Sequence, residues 1–270
     1  MISGRALGLA LALFFVPVLS LSAGDFPLRD KYPQVLPIST GELAQLYDEI
    51  MVVDVRSGIE FDVVHVAKAV HLPVALGNFL PELEKIRSKE GKAPIAFYCN
   101  GTTCAKSYKA AATALAAGFG NVYVYDAGIF EWVKDHPEKT ALMGARPAPL
   151  ERLISNEALE QRKIPFAEFA RLASDPQALV VDIREPYQRA KNPELPQHRI
   201  LALEKVRNIP SDRLVPLLRK GDFKDKQLLI ADAVGKQVQW LQYYLEEAGY
   251  RNYHFLDQGV LGAAEAGGVL

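Results

Sequence analysis

The chain has 270 residues, with 31 Lys and Arg against 32 Asp and Glu and a formal net charge of −1. Such a balance excludes a nucleic-acid binder of the basic kind and a polybasic membrane surface. The length suits one large or two small domains, and the two cysteines, Cys99 and Cys104, are too close in sequence for a structural staple of much value.

The first predicted element is a leader. Arg5 precedes an uncharged run from Ala6 to Gly24 that ends in the small residues Ser20, Ser22 and Ala23. A basic start, an apolar run and a small-residue ending predict a secretory signal peptide over residues 1–23. The alternative is an uncleaved anchor helix, because the run approaches membrane-spanning length. On the first reading the mature chain is exported, periplasmic if the source is bacterial, with no membrane attachment after cleavage.

After the leader, Ile38 to Leu46 predicts a strand end and an amphipathic helix. Met51 to Arg56 is a β-branched run ending in charge, and Ala69 to Pro73 a second extended piece. Leu76 to Lys85 has helical period. Ile95-Ala96-Phe97-Tyr98 predicts a buried strand that delivers Cys99 into a short polar loop, Asn100-Gly101-Thr102-Thr103-Cys104, before a helix running to Ala117 and stopped by Gly118. Asn121 to Tyr125 is a further strand, and Gly128 to Lys134 starts a helix carrying Trp132, expected in the core. Strands alternating with helices predict an α/β fold, a central parallel sheet flanked by helices, with the site at the carboxyl ends of the strands. A strand–Cys–loop–helix unit aims backbone N–H groups and a helix N-terminus at one sulfur, which favours the nucleophilic thiolate.

The pattern then returns. Ile164 to Leu172 matches the piece starting at Ile38, Val180-Val181-Asp182-Ile183-Arg184 matches Val52-Val53-Asp54-Val55-Arg56, and Asp257-Gln258-Gly259 repeats Asp126-Ala127-Gly128. Leu228 to Asp232 matches Ile95 to Cys99, so Asp232 stands where Cys99 stands, ahead of a loop that reads about two residues shorter. Matches in the same order predict a duplicated domain. The boundaries read as a first domain over 36–138 containing Cys99, a linker over 139–162 and a second domain without cysteine over 163–270.

Taken together, Asp54-Val55-Arg56, Glu60-Phe61, the strand ending at Pro73, Tyr98-Cys99 and Asp126-Ala127-Gly128 through Trp132 resemble a rhodanese domain, and the chain after the leader resembles a tandem rhodanese. That resemblance implies a sulfurtransferase in which Cys99 takes a sulfane sulfur from a small anionic donor such as thiosulfate. The persulfide then passes it to a thiol or cyanide acceptor. It implies a six-residue loop, Cys99 to Cys104, cradling the sulfur with backbone N–H groups. The family commonly places a basic residue at the sixth loop position; here that position is Cys104, and Lys106 is the nearest cation and the candidate anion anchor. The family's Gly-His pair is Val64-His65 here. A carboxylate at Asp232 cannot do sulfane chemistry, so the second domain reads as silent.

Cys99 reads as a nucleophile or as half of a Cys99–Cys104 disulfide, and Cys104 as a candidate resolving thiol. Asp54 and Arg56 read as a structural polar pair, since Asp182 and Arg184 persist in the silent domain. Five histidines and two cysteines show no metal-ligand spacing, and no cofactor or nucleic-acid partner is expected. Three functions follow: a sulfurtransferase, a thiol redox or persulfide-carrier protein using Cys99 and Cys104, and a non-catalytic rhodanese-like binding module.

Overall fold

The computed structural model describes residues 26–89 and 93–270; the expected leader lies outside them. In the first half the elements are β1 (Leu36–Pro37), α1 (Thr40–Gln45), β2 (Met51–Asp54), α2 (Gly58–Val63), β3 (Val64–Val66), β4 (Val70–His71), α3 (Phe79–Lys89), β5 (Ile95–Tyr98), α4 (Ala105–Ala116), β6 (Val122–Tyr125), α5 (Gly128–Asp135) and β7 (Thr140–Leu142). In the second they are α6 (Asn156–Glu160), β8 (Lys163–Ile164), α7 (Phe166–Ala173), β9 (Ala178–Asp182), β10 (Arg207–Asn208), α8 (Ser211–Lys220), β11 (Gln227–Ala231), α9 (Val238–Glu247), β12 (Tyr253–Leu256) and α10 (Gly259–Glu265).

Each half has a five-stranded parallel sheet. The orders are β1-β6-β5-β2-β4 and β8-β12-β11-β9-β10, the same order on the equivalences read from the sequence. The register repeats as well: Asp54 pairs with His71 and Tyr98, and Asp182 with Asn208 and Ala231. The central strands are apolar on both faces because helices cover both.

Alternate strand residues feed different cores. Met51, Val53, Ile95, Phe97 and Cys99 pack on one face of the first sheet with Tyr108, Ala111 and Ala114 of α4. Val52, Ala96, Tyr98 and Trp132 face the other way, into a cluster that continues through Trp240 and Leu241 of α9 to Val181 and Ile230 of the second sheet. The shared core therefore joins non-equivalent faces. The first half contributes its α1, α2 and α5 side, and the second its α8 and α9 side, with α2 packed against both.

Two segments differ from expectation. The stretch from 139 is not an open linker at its start: β7 pairs antiparallel with β3, and Trp132 Nε1 donates to the Lys139 carbonyl. The first half also begins before residue 36. Leu28 and Val35 pack into the outer core, Arg29 holds Asp126 through two hydrogen bonds of 2.9 and 3.1 Å, and Tyr32 stacks on Tyr108. Among the described residues no helix is long and apolar enough to cross a membrane.

Candidate functional site: a cysteine pair held by a buried ionic network

β5 ends at Tyr98 and delivers Cys99, 1% exposed, to the carboxyl edge of the sheet. The loop 100–104 follows and α4 begins, with Cys104 as its N-cap. Cys99 and Cys104 are joined as a disulfide, their Cα atoms 6.4 Å apart, inside the usual range for such a bond. The sulfur of Cys99 lies 3.1 Å from the Cys104 carbonyl oxygen and 3.4 Å from Ser107 Oγ. Cys104, Thr102 and Gly101 are partly exposed, and Thr103 is exposed.

Close approach of α5 shapes this loop. Gly128 has φ +76°, and a Cβ there would lie 2.4 Å from the Gly101 nitrogen. Only glycine accepts both the left-handed conformation and that contact. With it in place, Ile129 N–H donates to the Cys99 carbonyl at 3.0 Å.

Asp54, Arg56, Glu60, Asn100 and Lys106 form one network behind the loop. The fully buried Arg56 donates from Nε and Nη2 to Asp54, from Nη2 to the Val64 carbonyl and from Nη1 to Asn100 Oδ1 at 3.1 Å. Asn100 Nδ2 in turn donates to Glu60 Oε1 at 2.7 Å. Glu60 Oε2 accepts from the Ser57 N–H and hydroxyl and from Lys106 Nζ at 3.0 Å. Burial pushes the Glu60 carboxyl up, but Lys106, Arg56 and these hydrogen bonds outweigh it and bring it to about 2. The Asp54 ion pair likewise raises Arg56 against its burial.

Two sequence expectations change here. Lys106 is held by Glu60 and is not directed at the Cys99 sulfur. No backbone N–H among the described residues donates to that sulfur; its partners are the Cys104 carbonyl and Ser107. The N–H cradle is instead built in the second half, around Asp232. That buried carboxylate accepts from the N–H groups of Val234, Gly235, Gln237 and Val238. Burial pushes its pKa up against those four donors. The loop is not shorter than its counterpart: residues 233–237 separate Asp232 from α9, as 100–104 separate Cys99 from α4. Gly259 repeats the part of Gly128, and Val260 N–H donates to the Asp232 carbonyl.

The Asp182–Arg184 pair repeats the geometry of Asp54–Arg56, with Nε–Oδ1 at 2.9 Å and Nη2–Oδ2 at 2.6 Å in both. Arg184 Nη1, however, goes to the carbonyls of Gln197 and Arg199, so it braces that loop where Arg56 Nη1 goes to Asn100. His65 and His71 stack on Phe61, and their ring nitrogens contact the carbonyls of Phe61 and Arg56.

Sequence reasoning missed four residues. Glu60 belongs to the family pattern, and its signal in the sequence is the capping-box spacing Ser57-x-x-Glu60 that orients its carboxylate. Ser107 sits at an ordinary first-turn position. Gln237 donates to Ser57 Oγ at 3.1 Å across the two halves, and Trp240 stacks on Phe130 with its ring 5.5 Å from the Arg56 guanidinium carbon. Nothing local marks either as an interface residue. Among the described residues no group of three or more His, Cys, Asp or Glu could hold a metal ion.

Comparison with known proteins adds to this geometry. No curated protein matches the chain. A Bacillus halodurans protein of known structure is 25% identical, covering 49% of this chain and 94% of its own, with a TM-score of 0.36. A thiosulfate sulfurtransferase from Pseudomonas aeruginosa is 20% identical over 86% of this chain, which spans 43% of that enzyme, with a TM-score of 0.37. An As-Sb reductase from Leishmania major is 21% identical over 47% of this chain and 97% of its own, with a TM-score of 0.36. The family model of the rhodanese-like domain matches residues 39–135, the span from the cap of α1 to the end of α5 that contains the whole cysteine loop.

Proposed function

We propose that the chain is an exported sulfurtransferase of tandem rhodanese architecture, in which Cys99 carries a sulfane sulfur as a persulfide and the second half is catalytically silent. The observation that carries the reading is the position of Cys99 at the carboxyl end of β5 within the matched domain. The shared strand order of the two sheets supports the tandem arrangement, and the leader-like residues 1–23 support export.

Turnover starts from the dithiol, so a reductant first supplies two electrons and two protons to the Cys99–Cys104 bond. The Cys99 thiolate then attacks the outer sulfur of thiosulfate. A sulfur–sulfur bond forms to Cys99, the bond to the sulfonate sulfur breaks, and sulfite leaves with the electron pair. A thiolate or cyanide acceptor next attacks the outer persulfide sulfur, and Cys99 departs as thiolate. Ser107 Oγ, at 3.4 Å, serves as a hydrogen-bond donor to that thiolate, and the N-terminus of α4 adds a favourable dipole. The second half lacks a thiol, and its loop N–H groups are already taken by the Asp232 carboxylate.

Intact-mass measurement of the reduced protein after thiosulfate treatment tests the proposal. A gain of one sulfur atom that disappears in Cys99→Ser supports it. An unchanged mass, together with equal thiocyanate formation by wild type and Cys99→Ser, refutes it. The disulfide favours a second reading, a thiol redox protein cycling between dithiol and disulfide without sulfane transfer. Reversible two-electron reduction without sulfur uptake distinguishes it.

A further inference from the structure

We propose that Cys104, and not Cys99, is the sulfur at which a thiol reductant attacks the Cys99–Cys104 disulfide. The inference deepens the redox side of the site and does not depend on sulfane transfer. It assigns Cys104 as the attacking and attacked sulfur, and Cys99 as the resolving one.

Three observations carry it. Cys99 is 1% exposed and belongs to the packed cluster of Val53, Phe97 and Tyr108, whereas Cys104 is partly exposed beside exposed Thr103. Disulfide exchange proceeds by direct attack on sulfur, so access decides which sulfur is hit. Second, Cys104 is the N-cap of the twelve-residue helix α4 and its side chain makes no capping hydrogen bond, while Lys106 in the first turn is already paired with Glu60. The dipole of α4 therefore favours a thiolate at Cys104. Third, Cys99 has a ready partner as a leaving group in Ser107 Oγ.

The step balances with a dithiol reductant. One reductant thiolate attacks Cys104 Sγ; the Cys99–Cys104 bond breaks, a mixed disulfide forms on Cys104 and Cys99 leaves as thiolate. The second reductant thiolate attacks its own mixed disulfide, releasing the Cys104 thiolate. The reductant has become a disulfide and the loop a dithiol, by transfer of two electrons.

The test uses the wild-type chain after leader removal, oxidised, treated briefly with glutathione in the presence of iodoacetamide. Fragmentation mass spectrometry between residues 99 and 104 then assigns each modification. The expected product carries glutathione on Cys104 and carbamidomethyl on Cys99; the opposite pattern overturns the proposal. The reduced single-cysteine variants supply a second readout with an aromatic disulfide reagent. Cys99→Ser, which keeps Cys104, is expected to react at least about tenfold faster than Cys104→Ser. Equal or inverted rates overturn the assignment. Failure of persulfide loading on Cys99, with glutathione still found on Cys104, counts against the sulfurtransferase reading alone.

Discussion

Glu60 offers the sharpest test of how the cysteine loop is held. Its carboxylate is almost fully buried, ties Asn100 of the loop at 2.7 Å and Lys106 at 3.0 Å, and caps α2 through Ser57. Its pKa lies at about 2 in place of an ordinary 4.5. At about 1.4 kcal/mol per tenfold change in proton affinity, that difference makes about 3 kcal/mol of stability depend on its ionisation. The folded value is the depressed one, so this stabilisation is complete above about pH 5 and lost as pH falls from about 4.5 towards about 2. Glu60→Gln keeps the shape and an acceptor for Ser57 but removes the charge opposite Lys106 and Arg56. Urea unfolding of both proteins is expected to give a gap of about 3 kcal/mol at pH 7, narrowing to about 1.4 kcal/mol at pH 3. A gap of the same size at pH 3 and pH 7 refutes the electrostatic account, and the absence of a gap at pH 7 refutes the role of the residue.

Trp240→Ala removes a buried ring stacked on Phe130 between the two halves. Chemical unfolding should register a loss of about 3–5 kcal/mol, and an unchanged midpoint contradicts the shared core. Gly128→Ala meets both a positive φ and the Gly101 backbone at 2.4 Å, so thermal melting should show a loss of about 3 kcal/mol or more. Asp232→Ala strands four N–H donors in a buried loop and should cost about 2–4 kcal/mol in urea unfolding while leaving the alkylation rate of the reduced cysteines unchanged. A slowed or accelerated rate means the two loops are coupled.

The repeat, the parallel sheets and the strand-end position of Cys99 were legible in the sequence because each rests on local pattern. Apolar runs of strand length alternate with helical period, and Asp126-Ala127-Gly128 recurs as Asp257-Gln258-Gly259. The equivalence of Cys99 and Asp232 was legible for the same reason; the length of the loop after Asp232 was misread because helix starts without a strong cap leave little trace in sequence. The partner of Lys106 was not legible. Its ammonium had two places to go, an anion at Cys99 or the carboxylate of Glu60, and only the folded chain brings α2 beside the start of α4.

By itself, then, the sequence determined the alternation of the parallel strands with helices and which of the two loops keeps a cysteine. Tertiary structure alone decided how that thiol is held. It joined Cys99 to Cys104, buried Cys99 and left Cys104 partly exposed, and set Gln237 and Trp240 of the second half against Ser57 and Arg56 of the first. The physical reason is that burial, ion pairing and access depend on residues far apart in the chain. No local period or spacing encodes which of several polar side chains will share one desolvated site.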